Sequence, residues 1–186
     1  MLKRVLRGGL GIILIVASIS CRPSIEKGIS EKIATLSGTT ELGTVEYTVK
    51  KIVRASDNQI WTVGDRKILF STTSYLKAGV KLDGFSEDNV SFNKLNNSIT
   101  VTLPKASLLS FNMPPEEIRT EYESYGVFRS RFSEAEQNKI LRMGEERIRK
   151  DIDNLGILKE AEKNASEFFV AMFNQIGIEN VNVIFE

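Results

Sequence analysis

The stretch Arg66–Leu82, "RKILFSTTSYLKAGVKL", decides how the rest of the chain must fold. Ile68, Phe70, Leu76, Ala78, Val80 and Leu82 hold even positions, with Thr72 and Ser74 between them. Lys67, Lys77, Gly79 and Lys81 hold odd ones. Alternate residues of a strand point to opposite faces, so this pattern predicts one face buried and the other wet. It is a long strand, or two strands joined by a bulge.

Working outward, Thr44–Ala55 reads as a strand in which Val45, Tyr47 and Val49 alternate, and Asp57-Asn58 is a turn. Ile60–Val63 reads as a short strand before the turn at Gly64-Asp65. Further upstream, Ile25, Ile29, Ile33 and Leu36 form one helical stripe closed by Gly38. That helix lacks a basic polar face, which favours packing on the domain over lying on a membrane. Downstream, Val90 and Phe92 begin a strand, Asn96-Asn97 turns it, and Ile99, Val101 and Leu103 return until Pro104.

Helices dominate thereafter. Met113–Glu117 predicts the start of a short helix with Ile118, Tyr122 and Tyr125 on one face, ending at Gly126. Ser133-x-x-Glu136 is a capping box. It opens a helix in which Leu141, Ile148, Ile152 and Leu155 make a stripe narrower than the ~100° usual for a core helix, broken at Gly156. A last helix carries Leu158, Ala161, Ala165, Phe168, Phe169, Met172, Phe173 and Ile176, and stops at Gly177. Val181, Val183 and Phe185 form a closing strand. Strands first, helices later and a final strand give α+β: an antiparallel sheet from the N-terminal half, two to three C-terminal helices and a closing C-terminal strand.

The beginning of the chain has a different character. Lys3, Arg4 and Arg7 precede an apolar run, Leu10–Ile19, and the small residues Ser18 and Ser20 stand just before Cys21. This is the order of a secretory signal peptide, and the run is far shorter than the ~20 residues of a spanning helix. The cysteine makes the junction resemble a bacterial lipobox, although Ser18 stands where leucine is usual. The expected organisation is a signal peptide at 1–20, a lipid-anchored linker with an amphipathic helix at 21–43, and one α+β domain at 44–186. The other reading of the junction is an ordinary cleavage site that leaves a free thiol on Cys21.

Composition narrows the chemistry. The chain has 186 residues and a formal charge of +1 from 25 basic and 24 acidic residues. Three of the cations lie in the signal segment, so the mature chain is slightly acidic and nothing in it recruits nucleic acid. A single cysteine excludes an internal disulfide, and the lack of histidine excludes histidine triads and HExxH zinc sites. No cofactor, metal or catalytic site is expected.

Each remaining motif has a plain structural account. Glu116 and Glu117 follow Pro115 at a helix start, where acidic residues favour the dipole. Ser74-x-x-Lys77 matches the SxxK pattern of serine acyltransferases, but i and i+3 face opposite sides of a strand. Phe128-Arg129-Ser130-Arg131-Phe132 reads as an edge strand with inward phenylalanines, or else as a contact for an anion or polysaccharide. Trp61, between two turns, reads as a core residue beside a strand, or else as an exposed ligand platform.

Three stretches, "GDRKILFSTTSYLKAGVKL" (64–82), "SITVTLPKASLLSFNMPPEE" (98–117) and "NLGILKEAEKNASEFF" (154–169), resemble the domain of unknown function 4230 family of bacterial envelope proteins. The resemblance runs from about Val45 to Phe185 and implies a lipoprotein in many members, with no activity attached. The expected function is therefore a non-enzymatic binding or scaffold module of the bacterial cell envelope. It is held to a membrane by a lipid on Cys21 and faces the periplasm or the cell surface. Its partner is another protein or another copy, met through Glu145, Glu146, Arg149 and Lys150 and through Arg129 and Arg131. The alternatives are a carboxylate-based hydrolase and a periplasmic carrier of an apolar ligand.

Overall fold

A computed structural model describes residues 24–57 and 64–186. Its spine is an antiparallel hairpin of β1 (Glu41–Asp57) and β2 (Arg66–Lys81), paired from Glu41 opposite Lys81 to Asp57 opposite Arg66 with a register shift between Leu42 and Val45. The alternation in β2 is observed: Ile68, Phe70, Leu76, Ala78 and Val80 are each at most 2% exposed. Val45, Tyr47, Val49, Val53 and Ala55 stand opposite the even-numbered residues of β2 and share their face. The free edge of β2 is taken by two strands in turn. β6 (Ile118–Tyr125) pairs with residues 66–72, and β5 (Ser107–Asn112) pairs with residues 75–79.

A second sheet joins β3 (Val90–Asn93), β4 (Ser98–Leu103) and β7 (Asn180–Phe185). β4 is antiparallel to β3 and parallel to β7. Ile99, Val101 and Leu103 put a second fully buried face against the core. The long helix α4 (Ile157–Asn174) touches β1, β2 and β7, and Ala161, Ala165, Phe169 and Phe173 lose all contact with water. The helix α1 (Ile25–Thr35) adds Ile29 and Ile33, and Gly28 lies against Ile176 just past α4.

Contacts along β1 give the order of parts. Gly43 meets Ala161 and Ala165, the Tyr47 hydroxyl donates to Glu160 at 2.7 Å, and Lys51 pairs with Asp151 at 3.1 Å. Val53 then meets Gly144 of α2 (Glu134–Lys150). Thus α4 runs from the middle of the hairpin toward the start of β1, while α2 covers the turn end. A smaller core of Val53, Ile68, Phe70, Phe132 and Ile140 lies under α2, apart from the main one. Between the two cores the inner face is polar. Thr72 donates to the Lys51 carbonyl at 3.3 Å, and the wholly buried Ser74 hydroxyl finds no partner among the described residues. Ser74 and Lys77 do face opposite ways, Lys77 pairing with Glu41 at 2.6 Å.

Both helices approach β1 through glycine. A Cβ on Gly43 would lie 2.5 Å from the Ala161 carbonyl oxygen, and its φ of +63° disfavours any other residue. A Cβ on Gly144 would lie 2.6 Å from Val53.

The fold class is α+β as expected, with a closing C-terminal strand; three local readings need correction, and the strand β5 adds to those read from the sequence. Residues 118–125 form a strand and not a helix; only Pro115–Glu117 makes a short 3-10 turn. The unpaired edge of β2 demands a ladder partner, and Ile118, Thr120 and the tyrosines suit a strand, so tertiary pairing overrides the helical spacing. β5 had no clear alternation because a bulge beside Ala78 interrupts it. Residues 128–132 are a loop and not an edge strand, with Phe132 buried and Phe128 81% exposed. The helix opened by Ser133 stops at Lys150, five residues before Leu155, and α3 (Ile152–Leu155) follows separately. The closing strand joins the second sheet and runs parallel to β4. The segment expected to be a signal peptide (1–20), Cys21, and the strand expected at Ile60–Val63 with Trp61 lie outside the described residues.

Gly43→Ala should destabilise the fold by roughly 3 kcal/mol, from the left-handed backbone and the backbone clash together. Gly144→Ala should cost about 1–2 kcal/mol, because Val53 can yield and alanine favours the helix. Urea denaturation measures both; equal or reversed costs would mean that the helices do not seat on β1 in this way.

Candidate functional site

The turn end of the hairpin gathers charge where the apolar core thins out. Arg66 occupies an even position of β2, so register aims its side chain at the buried face, where it is 9% exposed. There it lies 4.4 Å above the Phe132 ring. It donates to Asp57 at 2.6 Å and to both oxygens of Glu136 at 2.8 and 3.3 Å. Arg129 reaches the same Asp57 oxygen at 2.6 Å, its own side chain only 6% exposed. One cluster of four charges thus closes the hairpin and docks both the 126–132 loop and the N-terminus of α2.

Glu136 does two jobs. Its Oε2 takes the Arg66 bond and accepts the Ser133 backbone N–H at 2.8 Å and the Ser133 hydroxyl at 3.0 Å, so the capping box and the ion pair share an atom. These bonds favour the ionised carboxylate. Arg66 first, then Ser133, hold Glu136 down to about 2. Asp57 is also lowered, chiefly by its bond from Arg66.

This clasp fixes the loop between β6 and α2 at several points. The Gly126 N–H donates to Asp65 at 3.1 Å, and the Arg129 N–H donates to Gly126 at 2.9 Å. Arg131 donates to the Tyr125 hydroxyl at 3.1 Å and stands 3.8 Å from Glu123. Held at both ends, the loop presents Val127 at 95% exposure and Phe128 at 81%, just after the exposed Tyr125 at the end of β6. Aromatic side chains on a rigid support are the usual material of a binding hot spot.

The six residues expected to form an interaction surface fall into two groups. Arg129 and Arg131 belong to the clasp end, Arg129 as a buried strut and Arg131 as an exposed cation. Glu145, Glu146, Arg149 and Lys150 sit on the last turns of α2, where Glu145 and Arg149 pair at 2.8 Å and Arg149 covers the Phe111 ring at 4.4 Å. The α2 seam is Ile140, Gly144 and Ile148, with Leu141 half-buried. Sequence reasoning missed Asp57 and Arg66 as partners. The one available signal was a cation in the even, inward register of β2. Glu116 lies exposed beside Glu117 on the 3-10 turn, and Glu121 accepts from Ser71. Among the described residues no group of three or more acidic or cysteine side chains is placed to hold a metal, and no helix is long and apolar enough to cross a membrane.

Residues 36–183 match the sequence profile of a family described as protein of unknown function, DUF4230. The chain belongs to this family. The matched span of the DUF4230 member takes in β1 to β6, most of β7, α2, α3, α4 and the entire clasp. No curated protein and no solved structure matches it.

The clasp has a pH signature. Because the folded pKa of Glu136 is depressed, its contribution is complete above the ordinary value of 4.5 and is lost as pH falls toward about 2. Wild type should lose thermal stability across that window. Glu136→Gln should begin less stable at neutral pH and vary less with acid. Parallel profiles for the two proteins would show that Glu136 carries no coupling to the fold.

Proposed function

We propose that this DUF4230 protein is a lipid-anchored module of the bacterial envelope that binds a protein partner and performs no chemistry of its own. The observation that carries the binding reading is the ridge of Val127 and Phe128, fully presented on a loop whose flanks are pinned by Arg129, Arg131 and Phe132. Two adjacent apolar side chains in water bring no stability to the isolated domain. A partner that covers them gains their burial without ordering the loop. The anchoring half of the reading rests on the sequence around Cys21. The leader-like segment and the lone cysteine together suit an acylated N-terminus.

Arrangement of the other groups supports binding over catalysis. A hydrolase built on carboxylates needs two acidic groups facing one cleft. Asp57 and Glu136 are instead neutralised by arginine, and Glu116 stands on the surface. A carrier needs open space over the even face of β2. That face is covered by Phe169, Phe173 and the second sheet.

The test uses the full chain in its native membrane. A fatty-acid analogue should label wild type and not Cys21→Ser. Crosslinking should yield a discrete complex that Val127→Ser/Phe128→Ser loses without any change in melting temperature. The complex should survive Glu146→Lys on α2. Survival of the complex in the ridge variant, with loss in Glu146→Lys, would move the binding surface to α2 and overturn the reading.

A further inference from the structure

The end of the domain opposite the clasp carries a feature that the binding ridge does not use. Residues 93–98 form the turn between β3 and β4, and Leu95 at its tip is 98% exposed. The turn is not slack. The Leu95 N–H donates to Asn93 at 3.0 Å, and the Ser98 hydroxyl donates to Asn96 at 2.7 Å. Asn97 takes a left-handed φ of 48° and donates to the Gly177 carbonyl at 2.9 Å, fixing the turn to the segment after α4. A leucine thus held outward contributes nothing to the core.

The same end holds the start of α1. Ser24 caps that helix, Glu26 pairs with Lys94, and a surface depression of about 400 Å³ is lined by Ser24, Ile25, Glu26, Phe92, Lys94 and Asn97. Ile25 is 39% exposed. Cys21 precedes Ser24 by three residues, which span at most about 11 Å even when fully extended. Any acyl chain on Cys21 therefore draws this end of the domain onto the lipid surface.

We infer that the face formed by the α1 N-terminus and the β3–β4 turn rests on the bilayer, with Leu95 entering the acyl boundary beside the anchor. The inference relies on the lipid anchor proposed above and adds an orientation to it. The occupant is lipid because of that short tether; no such constraint brings a protein here. Among the described residues of this face Lys94 pairs with Glu26 and Lys27 with Glu31, so the attraction of the face itself is apolar. β1 and β2 run up to about 50 Å away from this end at roughly 3.3 Å per residue, which lifts the Val127–Phe128 ridge clear of the membrane.

Trp61 is the one native tryptophan, so Trp61→Phe gives a silent background. Full-length protein carrying Leu95→Trp in that background is purified from membranes and reconstituted in phosphatidylcholine vesicles with brominated acyl chains. The emission should be blue-shifted and quenched relative to unbrominated vesicles. Phe128→Trp in the same background should emit unquenched. Position 95 is almost wholly in water, so tryptophan fits there without disturbing the fold. Acylated protein with unquenched Leu95→Trp overturns the orientation and leaves the anchor intact. Absence of acylation, read separately by mass spectrometry, overturns the anchor and the orientation together. Quenching at position 128 in place of 95 reverses the orientation and refutes it.

Discussion

One requirement organises this protein: the even face of β2 must leave water along its entire length. Few single helices could meet it. The strand runs to about 50 Å at 3.3 Å per residue, whereas the 18 residues of α4 span about 27 Å. The chain therefore covers the face twice. α4 with the second sheet seals the half from Leu76 to Leu82, and α2 seals the half from Ile68 to Phe70. Where the two covers part, the face turns polar at Thr72 and Ser74, and the Lys51–Asp151 pair spans the gap at the junction of α2 and α3. Glycine at 43 and 144 lets each cover approach closely enough to exclude water.

The unequal size of the two halves explains the clasp. The smaller core rests on few apolar side chains, and charge completes what hydrophobic burial leaves open. Arg66 lies over the Phe132 ring and against Asp57 and Glu136, so one residue ties together hairpin, loop and helix cap. Such an arrangement is sensitive to acid and to the loss of any member, because a buried charge without its partner costs more than the pair contributes. It also delivers a stiff loop. Segments that bind are commonly drawn from the less stable part of a fold, and the Val127–Phe128 ridge stands on the half with the smaller core. The half with the larger core holds α1.

The legibility of the sequence followed the strength of its periodic signals. The pattern from Ile68 to Leu82 and the stripe from Ala161 to Phe173 are deep in the main core, and both elements stood where periodicity placed them. β6 misled because it is only lightly buried: Ile118, Tyr122 and Tyr125 carried a helical spacing, and its identity comes from the open edge of β2. β5 hid behind its bulge. Phe128–Phe132 alternates like a strand, yet Arg129 is buried among charges and Phe128 stands in water, an inversion that only the position of Asp57 accounts for. Of the clasp, the capping box at Ser133 was legible and its second role with Arg66 was not, since Glu136 and Arg66 are 70 residues apart. The family membership was legible in three long stretches, all of which lie in the sheets or on α4 and its approach.

The division of β2 into two halves is measurable directly by native-state hydrogen exchange. Amides from Leu76 to Lys81 should exchange only through global unfolding. Those from Arg66 to Ser71 should exchange through a cheaper opening that is shared with α2, with the step at Thr72–Ser74. Uniform protection along the whole strand, or greater protection at the Arg66 end, would contradict the account.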